Sequence, residues 1–196
     1  MTITYIDVET TFVIDDNKRT DPSPFNSQNR LVSIQYAIND KDIHFHWFHH
    51  KDLRCVDTRD AFTQIQIVLN NTTLLVGHNI KFDLIWLWES GFKYTNKVYD
   101  TMIGEYLLLR QQKQGISLSD SCVRRNVAMK KSELIDDYLK QGIGFDKIPM
   151  ETVKEYGIGD IESTRQLHIA QSNLYKKSHN SMMYKHLKLM NNFLPV

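Results

Sequence analysis

Five side chains in three separated stretches have the types and spacing for metal-dependent hydrolysis. Asp7 and Glu9 stand in Ile3-Thr4-Tyr5-Ile6-Asp7-Val8-Glu9-Thr10, and Asp83 closes Gly77-His78-Asn79-Ile80-Lys81-Phe82-Asp83. Tyr156 and Asp160 bracket Tyr156-Gly157-Ile158-Gly159-Asp160. The first stretch is rich in β-branched and aromatic residues, which suit a pleated strand. Side chains alternate along a strand, so Asp7 and Glu9 point the same way at its C-terminal end. Two carboxylates that close repel each other and lose solvation once a core forms behind them. A hard divalent cation between them, Mg²⁺ or Mn²⁺, relieves that cost, and oxygen-only ligands suit such an ion. On these two residues alone, a strand end running into solvent with both acids hydrated is the competing reading.

The elements that must position these groups can be read along the chain. A polar stretch from Asp15 to Arg30, with Asp21-Pro22-Ser23-Pro24 inside it, reads as a long loop. Leu31 to Ile38 and Ile43 to Phe48 read as two strands paired through the Asn39-Asp40 turn. Ala61 to Leu69 has apolar residues at helical spacing, and Thr73 to Val76 reads as a short buried strand. Ile80 to Trp88 reads as a helix, with Asn79 as its N-cap and Gly91 just past its end. Asp83 near its start also fits a plain complement to the helix dipole. Asp100 is expected to cap a helix through Leu109, and Ser117 with Asp120 to cap the next. Ser132 to Leu139 reads as a short helix, and Pro149 as the first residue of another.

Tyr156 and Asp160 are four apart and so face one side of that last helix. Two glycines in four residues weaken a helix, which makes sense if something packs closely against it. The stretch from Tyr175 to Phe193 reads as a helix whose Met182, Met183, Leu187 and Met190 form an apolar stripe for core or interface.

Bulk numbers exclude several classes. The 196 residues fit one domain, 41% hydrophobic and 24% charged, as in an ordinary globular protein. A net charge of +1 provides no global field for a polyanion, so binding one must rest on a local patch or on metal. Arg124, Arg125, Lys130 and Lys131 form the densest basic patch, equally a solvated helix end or a phosphate-contacting surface. Cys55 and Cys122 fit no zinc or disulfide pattern, and no leader or membrane span is read, so a cytoplasmic protein is expected. His44, His46, His49 and His50 raise zinc, but the alternation with Phe45 and Trp47 reads better as a half-solvated strand.

Together the three stretches resemble the DEDD exonuclease superfamily, each matching one of its motifs in order. Tyr156 lies four residues before Asp160, and position 155 is Glu rather than the His of the other branch, so the chain is similar to the Tyr subtype. Asp100-Thr101-Met102-Ile103 resembles a run in the 3′→5′ proofreading domains of family A DNA polymerases. Pro24-Phe25 and Asn29 to Ile34 are similar to bacteriophage members. The resemblance covers essentially the whole chain. It implies an α/β, ribonuclease H-like fold with a central mixed β-sheet flanked by α-helices, in a single exonuclease domain, residues 1–196. The C-terminal helix would then lead toward a polymerase domain.

The same resemblance implies two divalent ions, Mg²⁺ or Mn²⁺, held by Asp7, Glu9, Asp83 and Asp160, with Asp7 bridging them. Two such ions can generate a nucleophile and stabilise the leaving oxygen of a phosphodiester. Tyr156 would orient the attacking water. Thr10, Phe12, Val13, His78, Asn79 and Phe82 would grip the 3′-terminal nucleotide, although His78 stands where some relatives carry Gln. The implied partners are a single-stranded DNA 3′ end and a family A polymerase domain in cis or in trans, with no membrane. An RNA 3′-processing exonuclease of the ribonuclease D type is the rival. A catalytically inactive nucleic-acid-binding domain is the more distant one.

Overall fold

A computed structural model describes residues 1–14, 20–53, 58–110, 112–127, 132–177 and 181–192. The central strand is β1, Ile3–Thr10, a run of alternating and largely buried residues. A short pair follows, β2 (Val13–Ile14) and β3 (Thr20–Asp21). Next come β4 (Leu31–Ile38) and β5 (Ile43–Trp47), then helix α1 (Arg59–Asn71), β6 (Leu74–Gly77) and α2 (Lys81–Glu89). Strand β7 (Lys97–Asp100) leads into α3 (Thr101–Leu108), followed by α4 (Leu118–Arg125) and α5 (Asp136–Lys140). The chain closes with the 26-residue α6 (Met150–Tyr175) and with α7 (Ser181–Asn192).

The sheet has the order β5-β4-β1-β6-β7, and β2 with β3 forms a separate ribbon. β1 is antiparallel to β4 and parallel to β6, so the sheet is mixed, as expected. Alternation along β1 divides its side chains between two cores. Ile6 and Val8 join Ile34, Tyr36, Leu75, Ile65, Leu69, Leu84 and Leu87 under α1 and α2. Tyr5 joins Ala37, Val76, Tyr99 and Ile161 on the face that α3, α6 and α7 cover. Asp7 and Glu9 have the parity of Tyr5, so they lie on the α6 side.

Several boundaries differ from the sequence expectation for local reasons. Ile80, not Asn79, is the N-cap of α2, without a side-chain cap. Asn79 instead adopts a left-handed backbone, φ 58°, and its N–H donates to Asp100 Oδ1 at 3.0 Å. Pro149 precedes α6 as its N-cap rather than opening it. The expected helix from Ser132 to Leu139 is a 3₁₀ turn, Ser132–Leu134, and then α5. The expected C-terminal helix is two elements, since α6 runs to Tyr175 and α7 starts at Ser181. Of the methionine stripe, Met183 packs in the core with Leu187, while Met182 and Met190 are exposed. Lys130, Lys131, Cys55, Phe193 and residues 15–19 of the first loop lie outside the described residues.

Leu84 is fully buried one residue past Asp83 and fixes α2 on the sheet. Leu84→Ala should destabilise the protein by about 2–5 kcal/mol. The check is a lower urea midpoint with an unchanged m-value.

Candidate active site

β1 carries Asp7 and Glu9 to the end of the sheet, where pairing with β4 shifts between Glu9 and Thr10. Helix α6 crosses the same face and presents Tyr156 and Asp160, both buried, one turn apart. The result is a cluster: one carboxylate oxygen each from Asp7, Glu9 and Asp160 lie within 4.8 Å of one another. Among the described residues no other group of three His, Cys, Asp or Glu side chains gathers in this way. The four histidines therefore form no such site. His44 and His46 stack against Tyr36, and His50 is buried with its Nε2 2.7 Å from the Ile148 carbonyl.

Asp83 reaches the same region from the opposite face of the sheet. β6 pairs with β1 only as far as Tyr5, so Val8 lies beyond the ladder on that side. The Val8 N–H donates to Asp83 Oδ1 at 3.0 Å. Asp83 is thus a structural partner of β1 and more than a dipole complement. Burial, and then the nearby Asp7 carboxylate, push its carboxyl well above the usual range. The Val8 amide offsets this in part.

Tyr156 sits at the centre of the charge. Burial comes first, then Glu9, Asp160 and Asp7, and a hydrogen bond with Asp160, in raising its phenol far above the ordinary value. It therefore keeps its proton and acts as a donor. Phe145 packs 5.8 Å from its ring. The glycines of this segment have the close neighbour that their cost in a helix suggested, at Gly157. A Cβ there would lie 2.9 Å from Gln35 Cδ and Nε2 and 3.2 Å from Phe45.

The residues expected to hold a nucleotide lie on three segments. Thr10 is buried at the end of β1, and Phe12 and Val13 are half-buried at the β2 ribbon. Phe12 approaches Gly144 in the loop before α6. His78 is half-buried, with Nδ1 2.9 Å from Thr101 Oγ1, and Asn79 is exposed. Asp100 fixes this turn, since its carboxylate accepts from both Asn79 N–H and Met102 N–H. Phe82 is half-buried against the α1/α2 core, so packing accounts for part of its surface. Arg124 and Arg125 are not free for phosphate, because both pair with the buried Glu105 at 2.9 Å.

Sequence reasoning missed Gln35. Its Nε2 donates to Asp7 Oδ2 at 2.5 Å and, more weakly, to Glu9 Oε1 at 3.4 Å. A signal was available: Ser33 and Gln35 are polar residues two apart inside an otherwise apolar strand.

A family model described as 3′-5′ exonuclease matches residues 18–173. That span takes in Asp83, Tyr156 and Asp160 and starts after Asp7 and Glu9. No curated protein matches the chain. Among solved structures, NrnC from Brucella melitensis, in a form bound to pGG and in one with bound Mg²⁺, is 18% identical. The match covers 98% of this chain and 81% of NrnC, with a TM-score of 0.59. The catalytic core of RRP6 from Trypanosoma brucei is 17% identical over 98% of this chain and 46% of that one, TM-score 0.59. The family B DNA polymerase of the archaeon Pyrobaculum calidifontis is 15% identical, covering 89% and 24%, TM-score 0.53. At these identities the likeness shows the fold, which is ribonuclease H-like.

The raised Asp83 carboxyl makes a pH prediction for the chelated protein. An unfolded aspartate titrates near about 3.9, so above that pH the folded state holds a proton that the unfolded chain has lost. Stability in EDTA should therefore fall as pH rises from that value through the folded pKa. Asp83→Asn keeps the acceptor for Val8 and removes the charge. In EDTA at about pH 8 it should melt a few degrees above the parent, with the gap closing toward about pH 4. Equal melting temperatures at the higher pH would contradict the placement of Asp83.

Proposed function

The chain belongs to the 3′-5′ exonuclease family, and we propose that its substrate is DNA, degraded one nucleotide at a time from a single-stranded or frayed 3′ end. The observation that supports metal-dependent phosphodiester hydrolysis is the cluster of Asp7, Glu9 and Asp160 oxygens within 4.8 Å, with the Tyr156 phenol bonded to Asp160. An all-oxygen, all-carboxylate set of that size fits a hard divalent cation such as Mg²⁺ or Mn²⁺. Asp7, Glu9 and Asp160 would hold one ion, and Asp83, close to Asp7, would help hold a second. When bound, such ions neutralise phosphate charge and lower the pKa of water.

The chain's own groups do the rest. Tyr156 retains its proton among the carboxylates and donates it to Asp160 in a hydrogen bond, which leaves the phenol oxygen to accept from the attacking water and orient it toward phosphorus. Thr10, Phe12 and Val13 on one side, and His78, Asn79 and Phe82 on the other, hold the terminal nucleotide. Aromatic and apolar groups stack on any base, which suits cleavage without regard to sequence. The product is a 5′-mononucleotide.

DNA rather than RNA is supported by the Asp100-Thr101-Met102-Ile103 run that resembles proofreading domains. In the structure that run anchors the His78-Asn79 turn. The reading extends to proofreading beside a family A polymerase domain, in cis or in trans, in the cytoplasm of a phage-infected cell. Among the described residues, no helix is long and apolar enough to cross a membrane.

Asp7→Ala and Glu9→Ala should each reduce Mg²⁺-dependent release of 5′-mononucleotides to background. Tyr156→Phe should lower kcat by about 10²-fold with little change in melting temperature. Matched 3′-labelled DNA and RNA oligonucleotides decide the substrate, and DNA should be cut faster. Faster loss of RNA would remove the proofreading role and leave the exonuclease.

A further inference from the structure

Strand β4 carries two polar residues through a buried core. Ser33 and Gln35 are both wholly inaccessible. Their register partners on β1 are Glu9 and Asp7, and partners across an antiparallel pair share a face. A glutamine amide buried there costs free energy unless its groups are bonded.

We propose that Gln35 is a positioning residue that holds the Asp7 and Glu9 carboxylates in their metal-binding orientation. This rests on the reading that Asp7, Glu9 and Asp160 hold divalent ions. Ionised carboxylates only accept, so the amide nitrogen, not its oxygen, must face them. Its two N–H groups match the two contacts, to Asp7 Oδ2 at 2.5 Å and Glu9 Oε1 at 3.4 Å. The amide oxygen faces the other way and accepts from the Ser33 hydroxyl at 3.2 Å. One oxygen of each acid is thereby engaged by the amide.

Helix α6 is shaped around the same amide. A Cβ at 157 would lie 2.9 Å from both Gln35 Cδ and Nε2. Glycine there lets α6 approach closely enough to bring Asp160 to the acids of β1. Ser33, Gln35 and Gly157 thus form one unit behind the cluster, from three positions that no metal ligand occupies. Groups that orient metal ligands in this way change metal affinity by about 10–100-fold when removed.

The test is calorimetric titration of Mn²⁺ into the full chain, with mononucleotide release against Mg²⁺ concentration as a second readout. Gln35→Leu, which keeps bulk and loses the donor, should weaken Mn²⁺ binding about 10–100-fold. Its half-saturating Mg²⁺ should rise correspondingly, and excess Mg²⁺ should restore most of kcat. Ser33→Ala should shift both in the same direction by a smaller factor. Gly157→Ala should weaken binding in the parent and cost clearly less in a Gln35→Ala background, where only the 3.2 Å approach to Phe45 remains.

Mn²⁺ affinity unchanged in Gln35→Leu overturns the assignment. So does an equal cost of Gly157→Ala in both backgrounds. Should Gln35→Leu not fold, Ser33→Ala and Gly157→Ala decide by the same criteria. A parent chain that takes up no Mn²⁺ would sink the metal reading itself. A parent and a Gln35→Leu variant that bind equally would sink only the role of Gln35.

Discussion

Crowded negative charge at the end of one strand is the constraint that shapes this protein. Asp7, Glu9 and Asp160 have oxygens within 4.8 Å of one another, two of the three residues are buried, and the buried Asp83 stands close to Asp7. Like charges held that close in a low-dielectric setting oppose folding. A sequence that keeps them has a use for them, and the surrounding elements are arranged to hold them in place.

Each side of the sheet contributes to that arrangement. From the α2 side, Asp83 takes the Val8 amide that β6 no longer covers. From β4, Gln35 donates to both strand acids. From α6, Asp160 and Tyr156 close the cluster, and Gly157 lets the helix come near. Glu105 shows the alternative treatment of a buried acid in the same fold. Arg124, Arg125 and Gln171 surround it with charge and donors, and it ties α3, α4 and α6 together behind the site.

Much of this was legible in the sequence because it depends on period and local chemistry. Alternation put Asp7 and Glu9 on one face, and the four-residue spacing of Tyr156 and Asp160 put them on one helix turn. Asp100 caps α3 as its position before a helical run suggested. What escaped depends on tertiary pairing. Gln35 could be recognised only as a polar residue inside an apolar strand, because its partner is set by the β1–β4 register, 28 residues away. Arg124 and Arg125 read as a solvated helix end or a phosphate-contacting surface because their partner Glu105 lies 19 and 20 residues away, on α3. Asn79 looked like a cap because an asparagine before a helix usually is one, whereas here its left-handed backbone serves the contact with Asp100.

The central claim is that these carboxylates converge on divalent cations, and the most direct measurement is a crystal soaked in Mn²⁺ with anomalous scattering recorded. The account predicts anomalous peaks among the carboxylates of Asp7, Glu9 and Asp160, with a second ion on the Asp83 side of Asp7. Density confined to the histidines of β5, or none between the strand acids and Asp160, would contradict it.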